Sequence, residues 1–205
     1  MRNDGFPLTP LLIAVAAMVV SCVPVFQNPL PGPDREPRLF GEWVSTNETG
    51  DISHVYFFPR QTRWLDVVAV GHVNSPAETN GVSVQVFEGY AARLDDLLFL
   101  CLRKRPAERN TAQKETSDTG DFMILSADLS REGWMAITPF SNEKLQEMIE
   151  SGRLEGRVEK GRFVTSVRVS APGEVLADAI REKGLASFLN TNATILLKRC
   201  PAQAE

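Results

Sequence analysis

The stretch NGVSVQVFEGYAARLDDLLFLCL, residues 80–102, decides the fold class. Within it, Val82-Ser83-Val84-Gln85-Val86 alternates apolar and polar with a period of two, the pattern of a half-buried β-strand. Further on, Leu97-Leu98-Phe99-Leu100-Cys101-Leu102 is continuously apolar and predicts a central strand covered on both faces. Asn80-Gly81 and Asp95-Asp96 are turn signals, so the two carboxylates at 95 and 96 read as a hairpin tip rather than an acid–base pair.

The same reading extends outward. Residues 55–58, 65–70, 122–125, 134–137, 154–158, 163–169 and 195–198 are short β-rich runs. Together they predict nine or ten strands joined by turns at Arg131-Glu132-Gly133 and Lys160-Gly161. Short links favour an antiparallel meander. Two helices interrupt it. Ser141 can cap the first, with Phe140 and Leu145 as a hydrophobic staple, a stripe of Leu145, Met148 and Ile149, and Gly152 at its end. The second begins near Pro172 and carries Val175, Leu176, Ala179 and Ile180 until Gly184. Residues 106–120 form a long polar loop. The expected fold is mainly β (α+β): an antiparallel curved sheet or closed barrel with two short helices.

Composition narrows the function classes. The chain has 205 residues, 43% hydrophobic and 23% charged, with a net charge of −4. That is one domain of ordinary size with a real core. No long Lys/Arg run supplies a basic face, and Arg103-Lys104-Arg105 reads as the end of a strand, so no nucleic-acid partner is expected. Residues 8–20 are almost wholly apolar. Thirteen residues suit the h-region of an export signal and fall short of the roughly 20 that span a bilayer as a helix.

This apolar run ends in Val19-Val20-Ser21-Cys22, which resembles the lipobox of bacterial lipoproteins. The resemblance implies removal of residues 1–21, lipid on Cys22 and membrane attachment through that lipid. An ordinary secretion signal or a single-pass anchor is the alternative reading. Val23 is not the Asp that commonly retains such proteins at the inner membrane, so the resemblance points to the periplasmic side of the outer membrane in a Gram-negative source. From 23 to 37 the chain holds five prolines (Pro24, Pro29, Pro31, Pro33 and Pro37). Residues 22–38 are therefore expected to be a lipidated cysteine and tether, whose proline segment 23–37, extended at about 3 Å per residue, reaches roughly 40 Å. A single domain is expected over 39–200, with 201–205 a disordered tail. Gly41-Glu42-Trp43, preceded by Leu39-Phe40, resembles the Gly-x-Trp opening of lipocalins. In that family the glycine permits a tight strand start and the tryptophan closes one end of the barrel. The whole combination resembles small β-rich lipoproteins of environmental bacteria, a resemblance that carries no activity with it.

Catalytic chemistry is sparse. His54 and His72 each sit in a strand-like run, and neither has metal-ligand spacing. A constellation of these histidines with Asp66 would make the chain a periplasmic hydrolase, which is the alternative to a non-catalytic role. No nucleophile elbow, phosphate-binding loop or dinucleotide fingerprint is present, and Gly152-Arg153-Leu154-Glu155-Gly156 lies between a helix and a strand. No catalytic residue, cofactor or metal is assigned. If Cys22 is lipidated, Cys101 and Cys200 remain as an even pair in an oxidising compartment and are candidates for a disulfide. Cys101 is alternatively a small buried hydrophobe. The leading expectation is an envelope lipoprotein whose domain binds a small apolar ligand or another envelope component without catalysis.

Overall fold

Eight antiparallel strands close on themselves in the computed structural model, which describes residues 23–46, 52–60, 63–73, 81–105, 121–161 and 165–201. They are β3 (Gly41–Thr46), β4 (Ile52–Pro59), β5 (Trp64–Val73), β6 (Gly81–Leu94), β7 (Leu97–Lys104), β8 (Met123–Asp128), β9 (Trp134–Pro139) and β12 (Ile195–Arg199). Each pairs with the next in that order, and β12 pairs back with β3. The result is a lipocalin-like barrel, so of the two expected forms the closed one is found. Closure leaves no open sheet edge along the ring.

Between β9 and β12 the chain builds a second layer. It comprises α1 (Asn142–Glu150), β10 (Gly156–Lys160), β11 (Thr165–Val169) and α2 (Gly173–Lys183). Ser141 caps α1 by accepting from the Lys144 amide, as its sequence predicts. Pro172 occupies the N-cap of α2, and Gly184 ends that helix at φ +77°. This layer covers the outer wall of β6–β8, which explains the continuously apolar β7. Leu98, Leu100 and Leu102 face the barrel interior, while Phe99 and Cys101 face the layer. Each large apolar side chain so buried contributes about 1.5–3 kcal/mol relative to exposure.

Residues 23–40 correct the expectation of a free tether. They form a strap between the barrel and the second layer. β1 (Val25–Phe26) pairs in parallel with β11, and Phe26 is also bridged to Phe122 at the start of β8. Tyr90 donates its hydroxyl to the Leu30 carbonyl (2.7 Å), and β2 (Pro33–Asp34) pairs with the end of β6. Phe26 and Leu30 are fully buried. Proline favours extended backbone here, but apolar residues placed between the prolines give that backbone a surface to bury against. Gly173 allows the closest approach: a Cβ there would lie 2.0 Å from the Pro29 carbonyl oxygen.

The strap then shuts one end of the barrel. Residues Pro37–Leu39 make a 3-10 turn, and Gly41 enters β3 at φ +117°, a backbone that favours glycine. Trp43 is buried in the interior and donates its indole N–H to the Leu39 carbonyl (2.7 Å). Arg199 lies over the Trp43 ring at 4.8 Å and donates to the Arg38 carbonyl. Glu36 is almost fully buried and accepts from Arg38 (2.8 Å) and Arg93 (2.7 Å). We call this the closed end. At the far end, β3, β5, β7 and β9 finish and β4, β6, β8 and β12 begin.

Candidate binding site

The inner wall changes character along the barrel axis. Near the closed end it is filled by Leu39, Trp43, Phe57, Leu65, Val67, Phe87, Met135 and Leu197. Toward the far end the side chains shrink. In register across four strands, Trp43, Val55, Ala69 and Gln85 make one row. The next row outward is Ser45, Ser53, Gly71 and Ser83. Alternation of side chains along a strand puts this second row on the same inward face as the first. All four residues are half-buried, whereas Trp43, Val55 and Ala69 in the first row are buried.

The opposite wall at this end is apolar. Leu102 and Met123 line it, and Val23 and Ile195 pack against the same interior cluster. Lys104, two residues beyond Leu102 on the same face of β7, is exposed at the rim. An eight-stranded barrel has room either to be filled by side chains or to hold one small ligand, and here the far-end row of β3–β6 carries only small side chains while β7–β9 keep Leu102, Met123 and Ile137. The wall offers hydroxyls on one side, methyl groups on the other and a cation at the lip.

The β6 register overturns the simplest reading of the Val-Ser-Val-Gln-Val alternation. The strand is there, but Ser83 and Gln85 face the interior, while Val82 and Val84 are each 57% exposed on the outside. Register is fixed further along the same strand, where Phe87 and Ala91 enter the interior cluster. A side-chain period of two then commits every other position, whatever its own polarity. The serine row was missed because each of its members is unremarkable in sequence, and only the register aligns them.

The histidine alternative meets a different arrangement from the one expected. His54 Nδ1 donates to Glu42 Oε1 (2.8 Å), which also accepts from the Tyr56 hydroxyl (3.1 Å). Asp66 instead faces Arg60 (3.5 Å) and Arg105 (4.0 Å). The His72 side chain lies outside the described residues. His54, Tyr56 and Phe58 stack at 6.2 Å intervals along the outer wall of β4. The bond from His54 holds the Glu42 carboxyl below its ordinary range. Burial, and then the Glu42 charge, push the Cys200 thiol up. His54 and Cys200 thus both meet Glu42, on a convex wall, and the thiol stays protonated at neutral pH.

Cys101 and Cys200 do not bond: both are free thiols. Cys101 is buried between the barrel and the second layer, Cys200 follows β12, and β8 and β9 stand between their strands. Burial pushes the Cys101 thiol up to about 12. Cys22 and residues 106–120 lie outside the described residues. Among the described residues no group of three His, Cys, Asp or Glu side chains is placed to hold a metal, and no helix is long and apolar enough to cross a membrane. At the closed end, a groove of about 460 Å³ runs between the strap and the β4–β5 turn, lined by Glu36, Phe40, Arg60 and Trp64 among others. No protein-family model matches the chain, and no curated protein or solved structure matches it either.

Proposed function

We propose that the chain is a bacterial envelope lipoprotein, attached through lipid on Cys22, whose barrel binds a small amphipathic molecule without transforming it. The observation that carries the binding reading is the inner wall of the far end, where large apolar groups give way to Ser45, Ser53, Gly71 and Ser83. Such a wall suits a ligand with an apolar body and a hydrogen-bonding head, and Lys104 at the lip favours a negative one. The anchoring reading rests on the Val19-Val20-Ser21-Cys22 box and the short apolar run before it. In a Gram-negative source the site of residence is the periplasmic face of the outer membrane.

Native mass spectrometry of protein purified from its own membranes tests both parts. It is expected to report a chain beginning at Cys22 with acyl mass added, and a small molecule released on activation. A retained ligand that Ser83→Phe abolishes would place it against the serine row. Protein that retains no ligand and also fails to bind a fluorescent fatty acid would refute binding. A hydrolase reading draws on one observation, the 2.8 Å contact between His54 and Glu42. Its position on a convex wall argues for a structural pair instead. Equal ester hydrolysis by wild type and His54→Ala is the outcome expected of that structural role.

A further inference from the structure

We propose that the groove at the closed end is a second binding site, one that takes a small oxyanion with a flat apolar body between Arg35 and Arg63. It depends neither on lipid at Cys22 nor on the serine row. Strand β6 changes partner where the groove lies. Trp64, the first residue of β5, pairs with Tyr90, and from Ala91 on the strap takes over, with Asp34 beside Ala91 and Pro33 beside Ala92. Two strands thus stand end to end along β6, and the seam between them opens into a groove of about 460 Å³. That is the size range of small-molecule sites. Buried Leu39, Leu65 and Ala91 line it together with half-buried Phe40 and Trp64. Rings and methyl groups of this kind give a flat apolar body a surface to lie against.

Charge on the lining selects the ligand. Five ionisable side chains line the groove: Asp34, Arg35, Glu36, Arg60 and Arg63. Three of them are matched. Asp34 accepts from Arg93 (2.9 Å), Glu36 accepts from Arg38 (2.8 Å) and Arg93 (2.7 Å), and Arg60 donates to Glu88 (3.0 Å). Arg35 and Arg63 are exposed and pair with no carboxylate among the described residues. Gln61 and Thr62, outside the described residues at the β4–β5 turn, are uncharged. Two guanidinium groups beside an apolar floor are therefore left unneutralised, and their planar fork of donors matches carboxylate and phosphate alike. Arg63 is also fixed in place. Its Nη1 donates to the Pro33 carbonyl (3.1 Å) across the seam, and its φ is 68°. A backbone of that kind favours glycine, so an arginine stands there against its conformational preference.

Calorimetric titration of the full chain tests this with 2-naphthoate, 2-naphthyl phosphate and, as the neutral control, 2-naphthalenemethanol. At least one of the anions is expected to bind about tenfold or more tighter than the alcohol, and to weaken as salt rises. Whichever anion binds tighter names the head group and supports the site. Arg35→Gln and Arg63→Gly should each weaken that binding about tenfold. Neither should lower stability in urea unfolding, since the Arg35 side chain has no carboxylate to lose and glycine suits a φ of 68°. Ser83→Phe should leave the affinity unchanged. Failure of both anions to bind, or equal binding of the alcohol, overturns the site. Anion binding that survives both arginine substitutions overturns it too. Loss with Ser83→Phe alone moves the ligand to the serine row and likewise overturns it.

Discussion

Replacing Glu36 with glutamine tests the clasp that holds the strap across the closed end. The bidentate bond from Arg38 holds the Glu36 carboxyl at about 2, against an ordinary 4.5, with burial opposing the shift and Arg93 adding to it. Each pH unit between those values is worth about 1.4 kcal/mol, which sets a ceiling of about 3 kcal/mol on the clasp. The Glu36 side chain is only 7% exposed, but Arg38 is 61% exposed, so water screens part of the attraction and about 2 kcal/mol is expected. A depressed carboxylate stabilises the fold fully above its unfolded value and loses that contribution as pH falls toward the folded one. Glu36→Gln should therefore lose about 2 kcal/mol in urea unfolding near neutral pH. The gap to wild type should shrink below pH 4.5 and fall to under half by about pH 3. A gap that stays constant with pH, or none at neutral pH, would refute the clasp.

Three further outcomes follow from the strap and the thiols. Phe26→Ala should cost about 3–5 kcal/mol by the same unfolding assay, since it empties a fully buried site, whereas a residue in a free tether would cost nothing measurable. Gly173→Val should destabilise by about 1–3 kcal/mol and raise protease cleavage within residues 27–32, because its Cβ would meet the Pro29 carbonyl oxygen. A thiol reagent at mildly alkaline pH should modify Cys200 slowly and Cys101 only after unfolding, and non-reducing mass analysis should find no bond between them.

What the sequence discloses here is what short range determines. The Ser141 cap, the Gly184 stop, the Asp95-Asp96 turn and the two-faced burial of residues 97–102 each depend on a few neighbours, and each is legible. Barrel closure depends on β12 meeting β3, a pairing between Arg199 and Trp43 that no local pattern encodes. The valines of β6 mislead for a related reason. Their face is set by Phe87 and Ala91 farther along the strand, so alternation announces a strand without saying which face is inside. Glu42 was not singled out as the partner of His54, because cross-strand neighbours depend on register rather than on distance along the chain. The proline count of residues 23–37 described the backbone correctly and its surroundings wrongly. Phe26 and Leu30, standing among those prolines, were the available signal that the segment is buried.

The strap also orders events in time. Its residues leave the ribosome first, yet Phe26 pairs with Val169, and Asn28 donates to the Ser170 carbonyl 142 residues away. Neither partner exists as structure until β10, β11 and α2 have been made and packed. Contacts of such separation form late, after most of the chain has collapsed. The amino-terminal segment is thus first out and last to be seated. For a chain processed at Cys22, that delay is an interval in which the cysteine stands clear of the domain and within reach of membrane-bound enzymes. Once the strap closes against α2, residues 23–40 are held between the barrel and the second layer, and the interval ends.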